Sequence, residues 1–183
     1  MKNTYKYINS NDLIQNLTFK YVETYSLQRG EKYYTEFTIA EKDLNTLEKR
    51  KSKKNDLNPE SEQRLLKLKE IVNYTQYLID KNGAFHSSSV KMNTFDNSDK
   101  ETKQIISILK NPILNKMDWM CAPKYRDGIV FYGDNDKIVL SLNICLSCEY
   151  MQLDNETFVD ADTKTYEEFR KFFIEIGHNV EKK

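Results

Sequence analysis

Along the first forty residues apolar positions recur every second residue. Leu17, Phe19, Tyr21, Tyr25 and Leu27 alternate with Thr18, Lys20, Thr24 and Ser26, the period of a half-buried strand. Tyr33, Thr35, Phe37 and Ile39 continue the alternation beyond Gln28-Arg29-Gly30-Glu31. Gly30 can take positive φ in a turn. Residues 17–39 are therefore predicted as a β-hairpin, with Leu27 opposite Tyr33 and Tyr21 opposite Ile39.

From residue 41 the period lengthens. Leu44 and Leu47 stand in a charged stretch without Gly or Pro, which predicts a helix over 41–54 ending in the basic run 49–54. Cations suit a helix C-terminus. Asn55-Asp56-Leu57-Asn58 reads as a break, after which Asn58 can cap and Pro59 can open a second helix. That helix is expected to run to about Lys81, with Leu65, Leu68, Ile71, Val72, Leu78 and Ile79 on one stripe and Gly83 beyond its end.

Residues 84–97 read as a polar loop with a short edge strand at Val90 and Met92. Ser98 and Glu101 fit a capping box for a helix carrying Ile105, Ile106 and Leu109, which stops at Asn111-Pro112. The clearest element is a hairpin over 128–145 around Asp134-Asn135-Asp136. A loop over 134–137 sets Phe131 against Leu140 and Ile129 against Leu142. Val130, Tyr132, Val139, Ser141, Asn143 and Cys145 then fall on the other face. One or two strands are expected around Asp154-Asn155. A last helix follows, with Thr165 and Glu168 as capping box, Phe169, Phe172, Phe173 and Ile176 as its stripe, and Gly177 as its stop. The fold class that follows is α+β: an antiparallel sheet built from hairpins, with helices packed on one face. The 183 residues are expected to form one domain, a helical pair over 41–82 being inserted between the N-terminal hairpin and the C-terminal hairpin region.

Charge narrows the function classes. Lys plus Arg and Asp plus Glu both number 28, so the basic excess of a general nucleic-acid binder is missing. No apolar run approaches membrane-span length. No apolar h-region follows Met1-Lys2-Asn3-Thr4-Tyr5-Lys6-Tyr7, so the chain as given reads as cytoplasmic, a trimmed signal peptide being the other origin of such a start.

Candidate chemistry is sparse. The chain has no P-loop, dinucleotide fingerprint, H-E-x-x-H or G-x-S-x-G motif, and the spacing of His86 and His178 suggests no catalytic pair. An enzyme is therefore not the expectation. Asp154, Glu156, Asp160 and Asp162 do not meet the EF-hand pattern and read as a solvated loop. The hairpin register brings Cys121 back toward Cys148 and Cys145. Four readings stand for the three sulfurs: packed free thiols; a zinc site completed by His86, His178 or a carboxylate; one disulfide with a spare thiol; and a redox pair.

The segment Cys121-Ala122-Pro123-Lys124-Tyr125-Arg126-Asp127-Gly128-Ile129-Val130-Phe131-Tyr132 continues to Cys145-Leu146-Ser147-Cys148 and to Phe172-Phe173-Ile174-Glu175-Ile176-Gly177. It resembles small uncharacterised bacterial proteins that share a C-x-P…FY…C-x-x-C…FF-x-x-x-G run. The likeness covers about a third of the chain, residues 121–177. Many of those proteins carry Arg at the place of Lys124 and Phe at that of Leu146. The resemblance implies that the three cysteines belong together and names no reaction.

The remaining signal is aromatic. Twelve tyrosines exceed what one core hides, because a buried phenol needs a hydrogen-bond partner. Tyrosine is enriched at protein interfaces. Tyr21, Tyr25, Tyr33, Tyr34, Tyr132 and Tyr150 are accordingly expected to form one exposed cluster that meets another protein. The function expected is a non-enzymatic interaction module, of the inhibitor or immunity type, with no cofactor. The alternative is a thiol- or zinc-centred protein using Cys121, Cys145 and Cys148.

Overall fold

The computed structural model describes residues 5–54, 57–116 and 121–180. The Asn55-Asp56 break and Trp119 lie outside them. The chain divides into two compact units: residues up to Leu27 together with those from Tyr77 onward, and the segment Gln28–Gln76.

The first unit is a seven-stranded sheet. Its chain order begins with β1 (Lys6–Asn9), α1 (Ser10–Gln15) and β2 (Tyr21–Ser26). The second unit follows, with α2 (Glu31–Lys54) and α3 (Pro59–Asn73). The chain then resumes the sheet with β3 (Val90–Asp96), α4 (Lys100–Leu109), β4 (Asp127–Tyr132), β5 (Ile138–Cys145), β6 (Tyr150–Gln152), β7 (Thr157–Asp160) and α5 (Thr163–Glu175). The strand order is β1-β7-β6-β5-β4-β2-β3. Every pairing is antiparallel except β1 with β7. The α+β class and the antiparallel hairpin of β4 and β5 are as the sequence predicts.

One face of the sheet is closed by helices. Ile14 of α1, Ile105, Ile108 and Leu109 of α4, and Phe169, Phe172 and Phe173 of α5 pack with Val22, Ile129, Phe131, Leu142, Ile144, Met151 and Val159 in the largest core. The Asp162 carboxylate opens α5 by accepting the Lys164 N–H at 2.8 Å, and Gly177 at φ 90° follows its end. The cap is thus Asp162, upstream of the predicted Thr165, and that of α4 is Asp99, one residue beyond Ser98.

The β4–β5 hairpin keeps the predicted register, Phe131 against Leu140 and Ile129 against Leu142. A bulge between Phe131 and Tyr132 then moves Ile138 opposite Tyr132, whereas a loop over 134–137 without a bulge sets it opposite Gly133. Ile138 joins Val130 and Tyr132 on the second face, and Val139 is left exposed. Asn135 and Asp136, both at φ 56°, make the turn in the left-handed region that these residue types tolerate best among non-glycines.

The hairpin predicted over 17–39 does not form. Its first half is β2, and its second half, with Tyr33, Thr35, Phe37 and Ile39, is the first two turns of α2. Period two and period 3.6 compete over this short stretch, and the longer run decides. Tyr33, Phe37, Ala40, Leu44 and Leu47 recur at steps of four and three, and all are buried except the half-buried Phe37. No Gly or Pro interrupts that pattern before Pro59. Ala40, Leu44 and Leu47 pack against Leu65 and Leu68 of α3, and Lys69–Glu48 at 3.2 Å and Arg64–Asp43 bind the two helices at the rim.

The second helix of the pair ends at Asn73, short of the predicted Lys81. Leu78 and Ile79 instead belong to a segment laid on the second face of the sheet, where Ile79 bridges Phe85. The Leu78 N–H donates to Asn143 Oδ1 at 2.7 Å, and Asn143 Nδ2 donates to the Gln152 carbonyl at 3.0 Å, which satisfies a fully buried amide. Gly128 leaves room for the Leu78 side chain, whose Cδ2 would lie 2.6 Å from a Cβ at that position. β1 and α1 have no counterpart in the sequence prediction. Among the described residues no helix is long and apolar enough to cross a membrane.

Candidate functional site

Alternation along the strands puts Tyr7, Tyr21, Tyr25, Tyr132 and Tyr150 on the face away from α1, α4 and α5. Val22, Ile144, Met151 and Val159 enter the helical core, so Tyr21, Cys145, Tyr150 and Phe158 beside them point the other way. Three groups result, the second and third sharing Tyr150.

The first lies on β2 and β4. Tyr21 and Tyr132 stack with centroids 4.7 Å apart, and the Tyr25 hydroxyl donates to Glu23 Oε2 at 2.5 Å. Lys91 Nζ reaches Glu23 Oε1 at 2.9 Å. Burial alone would raise the Glu23 carboxyl, but hydrogen bonds from Lys91, Tyr25 and Tyr132 hold it below the usual glutamate range. Burial, and then the hydrogen bond to Asp136, pushes the Tyr21 phenol up to about 12. Tyr25 and Tyr132 are buried, and with Leu27, Leu78 and Val130 they form a second core. These phenols meet their hydrogen-bond requirement inside the fold, which is why they are not the exposed surface expected of them.

The second group holds the sulfurs. Cys121 and Cys148 are joined in a disulfide with Cα atoms 6.2 Å apart, as the hairpin arithmetic expects of their separation. Cys145 keeps a free, buried thiol beside Ser147 Oγ at 3.4 Å and packs with Tyr125 and Cys148. In this state only one of the three proposed zinc ligands retains a thiol. Among the described residues no three His, Cys, Asp or Glu side chains are arranged to hold a metal ion. Tyr125 is fully buried and donates its hydroxyl to Gln152 Oε1.

The third group forms a corner at the β1 edge. Phe158 of β7 stacks on its register partner Tyr7 at 5.3 Å, meets Tyr5 edge-on at 5.4 Å and contacts Tyr150 at 6.2 Å. Tyr5 and Tyr7 are 50% and 59% exposed. Next to these rings is a cavity of about 160 Å³ lined by Tyr7, Lys116, Glu149, Tyr150, Phe158, Val159, Asp160, Ala161 and Tyr166. Glu149 sits at φ 54°, a rare conformation for a residue with a Cβ, in the turn that follows Cys148. Its buried carboxylate accepts the Thr163 hydroxyl at 3.1 Å. Lys116 Nζ lies 2.9 Å from Asp160 Oδ1 and 5.4 Å from the Tyr7 ring centre. Burial pushes the Tyr166 phenol up, with Glu149 and Asp160 adding to it, so this hydroxyl stays protonated.

Of the six tyrosines singled out in the sequence, Tyr21, Tyr25 and Tyr132 come together, Tyr150 stands near the corner, and Tyr33 and Tyr34 belong to α2 in the other unit. Tyr5, Tyr7, Phe158 and Glu149 escape sequence reasoning. The edge pairing of β1 could not be read from a four-residue strand.

On the helical face His178 stands between Asp127 and Thr24. Nδ1 is 2.9 Å from Asp127 Oδ1 and Nε2 is 3.0 Å from Thr24 Oγ1. The order imitates a nucleophile, base and carboxylate relay, but all three side chains are shut off from solvent, so the arrangement fastens the end of α5 to the sheet. Comparison of the chain with protein families, with curated proteins and with solved structures finds no match.

Proposed function

We propose that the chain is a non-enzymatic protein-interaction module, and that it meets its partner through the aromatic corner of Tyr5, Tyr7, Tyr150 and Phe158. One observation carries the reading: the exposed rings of Tyr5 and Tyr7 gather against Phe158 of β7 at the β1 edge of the sheet. Tyrosine there can bury area against a partner while its hydroxyl stays wet, and it freezes few torsions. The outer side of β1 also offers main-chain groups to an added strand. An inhibitor or immunity-type protein that occupies a partner would use such a corner.

Co-purification with the product of the adjacent gene tests this. The wild-type chain should retain that protein, and the Tyr5→Ala/Tyr7→Ala variant should lose it with its melting temperature nearly unchanged. A complex that survives both substitutions, or the lack of any complex, overturns the reading.

The three cysteines favour a second reading, a thiol-centred protein, because a disulfide and a spare thiol share one cluster. A zinc-centred form would first need that bond reduced, since thiolates are the ligands. A metal assay on the reduced, untagged protein decides between them.

A further inference from the structure

We propose that the outer face of α2 holds the phosphate backbone of a nucleic-acid duplex without reading its sequence. The inference goes beyond the interaction reading and stands independently of it. Lys plus Arg and Asp plus Glu both number 28, so the feature lies in the placement of charge and not in an excess. Between Lys42 and Lys53 the acids are Asp43 and Glu48, and both turn to α3, Asp43 to Arg64 and Glu48 to Lys69 at 3.2 Å. Lys51 is likewise taken by Glu62 at 3.5 Å. Lys42, Lys49 and Lys53 follow one another along one side of the helix, with Arg50 on its flank. All four are exposed, on the side away from the buried Ala40, Leu44 and Leu47. Among the described residues none of the four forms an ion pair.

The rest of the face selects the ligand. The other exposed positions of this stretch are Asn45, Thr46, Lys51 and Ser52, none apolar or aromatic. Ile39, exposed about one turn earlier, is one residue and not a patch. A partner protein would be anchored by aromatic or apolar side chains at the centre of its contact. A helix lying in a bilayer surface needs an apolar face, and a single strand needs rings on which its bases stack. A duplex backbone needs none of these. Cations neutralise its phosphates and release counterions, and hydroxyl and amide groups add hydrogen bonds that carry no sequence information. The stretch from Lys42 to Lys53 spans about 16 Å of helix axis. One strand of a B-form duplex presents a phosphate every ~3.4 Å along its own axis, so several lie within that length.

Fluorescence anisotropy of a labelled DNA duplex of about 20 base pairs, titrated with the full chain from about 50 to 200 mM salt, tests this. Two duplexes of unrelated sequence should bind alike. If all four cations reach phosphates, the logarithm of the affinity should fall with that of the salt concentration at a slope of about −3.5. Lys49→Gln/Lys53→Gln should make the slope shallower by about 2 and weaken binding more than about tenfold at the lowest salt. Lys49→Arg/Lys53→Arg keeps the charge and should keep the binding. Lys103→Gln/Lys110→Gln removes the same charge from exposed positions at α4 and should leave slope and affinity nearly unchanged. No binding by the wild type at the lowest salt overturns the proposal, as does an equal loss in the α4 variant or in the Arg variant. Tighter binding to a single strand of the same length, or to phosphatidylserine vesicles at equal salt, overturns it too. Co-purification with Tyr5→Ala/Tyr7→Ala reads a different surface, so either result can fail without the other.

Discussion

His178 Nδ1 and Asp127 Oδ1 lie 2.9 Å apart across 51 residues of sequence, with neither side chain open to solvent. The pair joins the residue after the stop of α5 to the first residue of β4. His178→Ala removes a partner from a buried carboxylate and from Thr24, and it opens a void beside Phe173, whose ring is 4.7 Å from the imidazole. Removing one partner of a buried hydrogen bond should cost roughly 1–3 kcal/mol, and the void adds to that. Urea unfolding measures it, and a loss below about 1 kcal/mol would place the pair outside the cooperative fold.

The bulge in the β4–β5 hairpin gives a paired prediction. Phe131 is fully buried in the helical core, whereas Val139 is 39% exposed. Phe131→Ala should destabilise by roughly 3–5 kcal/mol. Val139→Ala should stay within about 0.5 kcal/mol, as surface substitutions do. Comparable losses for the two would mean that the strands pair without the bulge, with Val139 turned inward.

The hairpin also shows what the sequence could convey and what it could not. Its register was readable because Ile129, Phe131, Leu140 and Leu142 agree on one face and a one-residue slip would break that agreement. The bulge was not, since Ile138 and Val139 are equally apolar and only the closing turn chooses between them. Residues 31–39 went astray for a different reason. The four alternating positions Tyr33, Thr35, Phe37 and Ile39 fit either period, and the packing of Ala40, Leu44 and Leu47 against α3 selects the helix. At the candidate site, tyrosine count pointed to a surface, but a phenol with an acceptor nearby can be core, as Tyr25 beside Glu23 is. The approach of Cys121 to Cys148 followed from strand pairing. The edge position of β1, which exposes Tyr5 and Tyr7, depends on a parallel contact with β7 that leaves no local sequence signal.

Acid should weaken the fold through Asp162. Its carboxylate accepts the backbone N–H groups of Asn115 at 2.6 Å, of Leu114 at 2.8 Å and of Lys164 at 2.8 Å. Those bonds, that of Asn115 foremost, outweigh burial and hold the carboxyl below the usual aspartate range. A group that binds its proton more weakly when folded stabilises the fold above its unfolded pKa of about 3.9, and the contribution disappears as pH falls through the folded value. Asp162→Asn should therefore lower stability at neutral pH by roughly 1–2 kcal/mol and flatten its fall below about pH 4. Denaturant midpoints across that range report both effects. A variant that keeps the wild-type acid slope would remove Asp162 from the account.

The disulfide supplies the last test. Cys121 and Cys148 are 27 residues apart in sequence, and closing a loop of that length should stabilise the folded chain by about 3–4 kcal/mol in the chain-entropy account. Reductant should lower the melting temperature of the wild-type protein, and Cys121→Ser should melt at the same lowered temperature whether reductant is present or not. Cys145→Ser separates this bond from its neighbour. Cys145 contributes only a packed thiol beside Ser147, so its replacement should leave the response to reductant in place. Were Cys145→Ser to abolish that response while Cys121→Ser preserved it, the bond would join Cys145 to Cys148 across a four-residue turn. So short a loop restrains the unfolded chain far less, and Cys121 would then be free to serve the thiol-centred chemistry that the bonded form withholds from it.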